Sequence, residues 1–200
     1  MLDGWARRIV QPGLDRVATL LARHLTANQV SALGAVFGIC AGGLIWAGWP
    51  GGALAALLAS RIADGLDGSV ARIRGKTDFG GVWDIACDFT FYAAIPLGFV
   101  LTDPSAHGAA GAVLLASFYI NAATFLGFAI LAEKRGMETR ARGEKSLYFT
   151  AGLMEGSETI AFFLLMCLFP GSFPTLALVF AALCLITAGA RLRLAARVFA

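Results

Sequence analysis

Long apolar segments separated by short polar ones make up most of the chain, and this pattern predicts a helical membrane protein. Six such segments are close to the roughly 20 residues that an α-helix needs to cross a bilayer. We expect membrane helices at 27–48, 52–75, 78–101, 108–133, 146–168 and 175–197. The predicted fold class is therefore all-α, a polytopic membrane protein with six transmembrane helices in a single domain that covers residues 1–200.

The segment ahead of the first apolar stretch has a different pattern. Within residues 3–24, apolar side chains recur at helical spacing while arginines and Asp15 occupy other positions. The apolar series is Trp5, Ile9, Leu14, Val17 and Leu21. This predicts an N-terminal amphipathic surface helix within an interfacial segment, 1–25, either continuous or broken at Pro12. Thr26 and Gln29 then form a capping-box pattern that starts the six-helix bundle, 27–199.

Composition supports the membrane assignment and excludes several other classes. Hydrophobic residues make up 58% of the chain and charged residues 14%, with a mean hydropathy of +0.74, whereas soluble domains carry about 25% charged residues. The net charge of +3 is too small to indicate a nucleic-acid partner. The four cysteines lie in apolar segments without a CxxC pair, which argues against a zinc site.

The distribution of basic residues predicts the orientation in the membrane. Four arginines precede the first membrane helix, three basic residues join the second to the third, and five join the fourth to the fifth. Three arginines end the sixth helix, while the opposite loops contain no Lys or Arg. The positive-inside rule then places both termini in the cytoplasm. In a bacterium this membrane is the inner, or plasma, membrane.

Gly34, Gly38 and Gly42 follow one another at four-residue intervals in the first membrane helix. Small residues on one face of a membrane helix allow another helix to approach closely. Packing within the bundle and a dimer interface are both compatible with this stripe, and we favour packing within the bundle.

Four carboxylates interrupt the second and third membrane helices. Asp64 and Asp67 are three residues apart and Asp84 and Asp88 are four apart, so each pair shares one helix face. A carboxylate costs roughly 2.5–3.5 kcal/mol at the centre of a bilayer, so an unpaired set would cost on the order of 10 kcal/mol. Hard divalent cations bind carboxylate oxygens. The two helices should be antiparallel neighbours, and their facing pairs suit one or two Mg²⁺ or Mn²⁺ ions about 3.5–4 Å apart.

The residues around these carboxylates suggest a phosphate-bearing substrate. Glycines at 65, 68, 75, 80 and 81 leave room for a bulky ligand to approach the backbone. Arg72 lies two turns beyond the first pair, where its guanidinium suits a phosphate. A nucleotide-activated lipid combines a pyrophosphate with a membrane anchor. A carboxylate in excess of the metal ligands could accept a proton from an attacking hydroxyl.

The run Asp64-x-x-Asp67-Gly68-x-x-Ala71-Arg72, followed by Gly80-x-x-x-Asp84-x-x-x-Asp88, resembles the signature of the CDP-alcohol phosphotransferase family of integral membrane enzymes. Seven residues separate Arg72 from Gly80, where eight are usual in the family. Residues 27–31 also resemble a family element that precedes the first helix: Asn28 and the Ser31 hydroxyl are kept, while its proline is absent.

The resemblance implies a reaction, a site and an assembly. An alcohol hydroxyl would attack the β-phosphorus of a CDP-linked lipid such as CDP-diacylglycerol and release CMP, a step of phospholipid biosynthesis. Asp64, Asp67 and Asp84 would bind two divalent cations, Mg²⁺ or Mn²⁺, and Asp88 would be the general base and a possible fourth ligand. The nucleotide site would consist of Gly68, Ala71, Arg72 and Gly80. Members of the family are usually homodimers.

The acceptor alcohol is left open by the signature. Glu155 and Glu158 share a face of the fifth membrane helix, and Arg61 lies one turn before Asp64. The glutamates could attract an ammonium headgroup, or they could pair with Arg61 or with a basic residue of the 134–145 loop. Arg61 could extend towards the membrane interface, pair with an acid or contact substrate. These three residues form the candidate acceptor pocket.

A cation- or proton-coupled transporter that uses the aspartates as its ion site is the rival hypothesis from another class. It has no requirement for Arg72, whereas the spacing and the intervening DG…AR residues favour the enzyme.

Overall fold

The protein was analysed as a computed structural model, which describes residues 2–137 and 156–200, with side chains described from residue 11 onward. Within these residues the secondary structure is helical. The helices are α1 (Leu2–Leu21), α2 (Ala27–Trp46), α3 (Pro50–Arg74), α4 (Asp78–Thr102), α5 (Pro104–Lys134), α6 (Gly156–Leu168) and α7 (Phe173–Phe199), with a short 3₁₀ turn at Pro170–Ser172 before α7.

Four of the described helices are long and apolar enough to cross a membrane: α2, α4, α5 and α7 together with its 3₁₀ turn. The predicted second span corresponds to α3, which has 25 residues but carries the charged residues of the signature. The predicted fifth span contains α6, a predominantly apolar helix with 13 described residues. The chain is thus an all-helical protein with four candidate membrane spans among its described residues.

Several boundaries differ from the prediction, and the structure decides between the two alternatives for α1. The predicted loop at 102–107 is wrong: α5 begins at Pro104, because the Asp103 carboxylate accepts hydrogen bonds from the backbone N–H groups of Ser105 (3.1 Å) and Ala106 (3.0 Å). These bonds hold the pKa of Asp103 below its usual value, with the contacts to Ser105 contributing most. The helix α1 continues through Pro12. The start of α7 precedes the predicted 175, with Pro174 in its first turn.

The helix α2 is the centre of one half of the bundle, since both α3 and α4 pack along it while hardly contacting each other's backbone. Its glycines explain how this is possible. A Cβ on Gly34 would lie 3.4 Å from Ala63 of α3. A Cβ on Gly38 would meet Phe91 of α4, and one on Gly42 would meet the backbone of Ala94 in α4. Packing within the bundle is therefore confirmed for this stripe.

The helices α3 and α4 face each other with few backbone contacts between them, because α2 packs against both. A capping box starts α2 as predicted, because the Thr26 N–H donates to Gln29 Oε1 at 2.9 Å and the Gln29 N–H donates to Thr26 Oγ1 at 3.3 Å. The cleft between α3 and α4, with α2 behind it, is open at the end where their signature residues lie.

An aromatic core fills the end of the bundle away from the signature. Phe91 of α4 and Phe163 of α6 meet edge to face with ring centroids 5.6 Å apart, and Phe99 stacks on Phe173 at 4.5 Å. Phe180 of α7 is fully buried beside them. Such pairs contribute about 0.5–1.5 kcal/mol each beyond their buried area. This core joins α4, α6 and α7 and fixes the far ends of the helices that carry the signature.

The helix α1 lies against the signature end of α3. Ala18 is fully buried, and Leu14 and Leu21 pack with it in a small apolar cluster. The other members of this cluster come from the segment between α1 and α2, from α2 and from α3: Ala22, Leu25, Ala27, Val30, Ala63, Leu66 and Val70. Val17 and Leu20 remain exposed, at 47% and 62%. The N-terminal helix therefore has one apolar side on the bundle and further apolar side chains that face outward.

Candidate active site

The two helices that bear the signature bring their carboxylates together from opposite sides of the cleft. Asp64 and Asp67 project from α3, and Asp84 projects from α4. One carboxylate oxygen from each lies within 4.8 Å of the others. The N-terminus of α4 is fixed two turns earlier by Thr77, whose hydroxyl oxygen accepts the Gly80 N–H at 3.0 Å. The predicted convergence of the signature aspartates is thus present.

Asp67 is the most deeply placed carboxylate, with 6% of the residue exposed. The Ser31 hydroxyl of α2 donates to its Oδ2 at 2.6 Å. A charge-assisted bond of this kind fixes the direction of a carboxylate, because the alternative rotamers would leave a buried charge without a donor. Ser31 therefore orients the buried aspartate from behind the cleft.

Asp88 is held differently from the other three. Arg61 Nη1 lies 3.0 Å from Asp88 Oδ1 and 3.7 Å from Asp64 Oδ1. Only 10% of the Arg61 side chain is exposed, and its guanidinium carbon lies 3.7 Å above the centre of the Phe91 ring. Its Nε atom is buried and has no hydrogen-bond partner among the described residues. Arg61 thus pairs with acids of the cluster, which was one of the alternatives for this residue.

These groups line one cavity. Its walls are formed by Ser31, Gly34 and Ala35 of α2, Arg61, Asp64 and Asp67 of α3, and Asp84, Cys87 and Asp88 of α4. Three carboxylates at this separation repel one another, and a single guanidinium cannot neutralise four aspartates. The oxygen-only donor set of Asp64, Asp67 and Asp84 suits a hard divalent cation.

The remaining signature residues form a second group beside the cavity. Arg72 Nη2 donates to Ser69 Oγ at 2.7 Å and to Asp15 Oδ1 at 3.2 Å, and it thereby binds the N-terminal helix. Its Nη1 atom lies 3.8 Å from the position that a Cβ on Gly68 would occupy. Ala71 is partly buried one residue before it.

Gly80 lies at the mouth of the cleft. A Cβ at this position would come within 3.2 Å of Asn28 Oδ1 and 2.9 Å of Thr77 Oγ1, so the absence of a side chain lets Asn28 approach α4. The indole N–H of Trp83 donates to the Asn28 carbonyl at 3.0 Å and fixes the start of α2 against α4. The two parts of the resemblance, 27–31 and the aspartate signature, therefore meet in space.

The glutamates of the candidate acceptor pocket are less defined. Glu155 lies outside the described residues, as does most of the 134–145 loop. Glu158 is in the first turn of α6, a helix that packs against α1, α3 and α7.

Several contributing residues were missed by the sequence analysis. The role of Ser31 as a donor to Asp67 could have been suspected, because its hydroxyl was part of the resemblance at 27–31. Gln11, Asp15 and Ser69 gave no comparable signal, since their contacts with the signature join residues 54–58 positions apart.

The fold and the cavity together define an integral membrane protein with a carboxylate-rich site between helices. Comparison with known proteins specifies the family. The model of the CDP-alcohol phosphatidyltransferase family matches residues 22–198. The chain is also 39% identical over 188 residues to the inner membrane protein YnjF of Escherichia coli (strain K12), which covers 94% of this chain and 91% of that protein. The chain belongs to the CDP-alcohol phosphatidyltransferase family, whose members are transferases of substituted phosphate groups.

Proposed function

We propose that this protein transfers a phosphatidyl-type group from CDP-diacylglycerol to the hydroxyl of a small alcohol and releases CMP, as a step of phospholipid biosynthesis. The observation that carries the proposal is the meeting of Asp64, Asp67 and Asp84 within 4.8 Å in a chain of this family. The ion pair that holds Asp88 at the edge of the same cavity supports it.

The proposed cofactors are two divalent cations, Mg²⁺ or Mn²⁺. Asp64, Asp67 and Asp84 would hold them, with Asp88 as a further candidate ligand, and the closeness of the first three carboxylates supports this. The cations would neutralise the charge of the donor's pyrophosphate and of the departing phosphate. Ser31 keeps the Asp67 carboxylate pointing into the cleft.

Asp88 is the proposed general base. It would accept the proton of the acceptor hydroxyl as the hydroxyl oxygen forms a bond to the β-phosphorus of the donor. The bond from that phosphorus to the bridging oxygen breaks, and CMP leaves with the electron pair. Arg61 holds the Asp88 carboxylate at the cavity edge, and a positioned carboxylate of this kind contributes about 10²–10⁴-fold to a rate.

The nucleotide part of the donor would lie beside the cavity. Gly68 and Ala71 offer a surface without large side chains, Arg72 extends its Nη1 edge over Gly68, and Gly80 borders the cleft next to Asn28. A guanidinium suits a phosphate through paired hydrogen bonds. These assignments rest on the match to the family signature, on the contact of Arg72 with Gly68 and on the close approach of Asn28 to Gly80.

We further infer a six-span arrangement in one domain, with α3 and the helix that contains α6 as the additional spans. The charge pattern supports cytoplasmic termini and an active site in the cytoplasmic half of a bacterial inner membrane. The exposed Val17 and Leu20 support an interfacial position for α1, in contact with the lipid surface. A homodimer is proposed from the family alone.

We propose that Glu155 and Glu158, which share a helix face by their spacing, border the acceptor pocket together with Arg61. Attraction of an ammonium headgroup by these glutamates predicts that Glu158→Gln raises the KM of the acceptor alcohol. Slower turnover with an unchanged acceptor KM would contradict this assignment.

The experiment that tests the function is CMP release by the purified protein. CDP-diacylglycerol is supplied with Mg²⁺ or Mn²⁺ and a panel of amino alcohols, serine, inositol and glycerol phosphate, with Asp88→Asn as the control. Release with one acceptor, lost in the variant, supports the proposal and identifies the acceptor. Folded protein that releases no CMP with any acceptor, but conducts cations in liposomes, would support the transporter instead.

A further inference from the structure

The N-terminal helix contacts the signature through a network of four polar side chains, which we call the α1 latch: Gln11, Asp15, Ser69 and Arg72. Asp15 Oδ1 accepts hydrogen bonds from Gln11 Nε2 at 2.7 Å, from the Ser69 hydroxyl at 2.8 Å and from Arg72 Nη2 at 3.2 Å. Gln11 Nε2 also donates to Ser69 Oγ at 3.0 Å. One carboxylate oxygen thus receives three donors, two of them from α3.

The latch is too exposed to be an important source of stability. The side chains of Arg72 and Asp15 are 47% and 52% exposed, and exposed ion pairs contribute little to stability. The attachment of α1 to α3 is already provided by buried Ala18 with Leu14 and Leu21. The hydrogen bonds that Asp15 accepts hold its pKa below the usual value, and the bond from Gln11 contributes most. Asp15 is therefore ionised at neutral pH.

The geometry of Arg72 indicates that the α1 latch orients this side chain. The contacts of this guanidinium with Ser69 and Asp15 are made by Nη2. Its Nη1 lies over Gly68, 3.8 Å from where a Cβ would be. An arginine held along one edge presents the other edge in a fixed direction, and here that direction is towards the glycine of the signature. A free arginine side chain would have to be ordered each time a ligand binds.

We infer that Asp15 is a positioning residue for donor binding: through the α1 latch, the interfacial helix holds Arg72 in the orientation that receives the pyrophosphate-bearing nucleotide. This inference rests on the proposed function of Arg72. It makes the N-terminal helix part of the donor site, although α1 carries no residue of the signature.

Ordering one such side chain costs about 0.5–1.5 kcal/mol, so Asp15→Asn should weaken binding of CDP by about two- to tenfold. CDP is used as the probe because it carries the nucleotide and pyrophosphate without the lipid. Its Kd is measured by calorimetry on the detergent-solubilised full chain with Mg²⁺, and the KM of CDP-diacylglycerol is measured by CMP release. The KM of the donor should rise by the same factor as the Kd, while kcat and the acceptor KM stay unchanged.

Two controls separate positioning from a general effect on α1. Arg16→Gln alters an exposed neighbour on the same helix and should leave CDP binding unchanged. Asp15→Glu keeps the charge and should recover part of the lost affinity. In an Arg72→Ala background, Asp15→Asn should have no further effect, because its partner is already absent.

The possible outcomes are distinct. Unchanged or tighter CDP binding by Asp15→Asn would overturn the inference, since tighter binding would mean that Asp15 competes with phosphate for Arg72. An effect of Asp15→Asn that persists fully without Arg72 would also overturn it. Failure of wild-type protein to release CMP while it still binds CDP would instead reject the proposed reaction and leave the latch measurable by affinity.

Discussion

The helices α3 and α4 each pass through two regions that differ in almost every physical property. At one end they carry the aspartates and Arg61 around a cavity, with the signature glycines on the same segments. At the other end Leu57, Phe91, Ile95 and Phe99 are buried in the aromatic core. The same pair of helices is therefore fixed by apolar packing at one end and carries a cluster of charged side chains at the other.

The comparison shows how a carboxylate cluster can exist in an apolar bundle. Placing like charges within 4.8 Å is unfavourable, so the helices that carry them need to be held by contacts elsewhere. The glycine stripe of α2 and the aromatic core provide those contacts without using any of the four aspartates. The contacts that stabilise the fold and the charged groups of the candidate site therefore lie at different positions along the two helices. Arg61 lies between them, with Phe91 on one side and Asp88 on the other.

The largest expected effect is at the aspartate end. Replacing Asp84 with Asn should lower the rate of CMP release by about a thousandfold, since charge stabilisation by a bound cation contributes several kcal/mol to the transition state. Mn²⁺ affinity, measured by electron paramagnetic resonance, should fall in parallel, while the melting temperature should not. Asp78→Asn, an exposed carboxylate in the same helix, is the matched control. A strong loss of thermal stability in Asp84→Asn would show that the two regions are not separate.

A substitution at the border should affect both regions. Arg61→Ala removes a guanidinium from Asp88 and from the Phe91 ring. Breaking a fully buried ion pair costs roughly 3–5 kcal/mol, and this part-buried pair should cost less. We expect a lower melting temperature together with slower turnover. Arg61→Lys should recover more stability than turnover, because lysine keeps the charge but lacks the planar group that lies on the ring and reaches Asp88. Loss of turnover alone, with unchanged melting, would place Arg61 wholly in the active site.

The smallest effect concerns stability at the far end. A Cβ at Gly42 would collide with the Ala94 backbone, so Gly42→Ala should destabilise the bundle by about 1–3 kcal/mol. Gly43 is the adjacent residue in the same helix, and a Cβ there would meet nothing within 4 Å. Gly43→Ala should therefore be neutral or slightly stabilising, as helix propensity predicts. Both are measured by thermal melting in detergent, and kcat per folded molecule should stay at the wild-type value in each.

Sequence reasoning recovered the parts of the site that depend on local spacing. The i, i+3 and i, i+4 pairs of aspartates fixed which carboxylates share a face, and the family signature identified the cluster that the structure brings together. Sequence reasoning also predicted the capping box at Thr26 and Gln29, because a capping box, like an i, i+3 pair, depends on residues within one helical turn. It placed a loop at 102–107 because the N-cap strength of Asp103 ahead of Pro104 was overlooked.

The sequence by itself determined that the chain is helical and apolar, that its charges are confined to a few segments, and that four carboxylates gather on two helix faces. Periodicity and composition are sufficient for this, because they act over one or two turns. The tertiary structure decided which groups complete the site. Ser31 behind Asp67, Arg61 between Asp88 and Phe91, and Asp15 on Arg72 each join residues from different helices. Such contacts depend on how α1 packs against α3 and on how α3 and α4 pack against α2, and no local pattern in the chain encodes them.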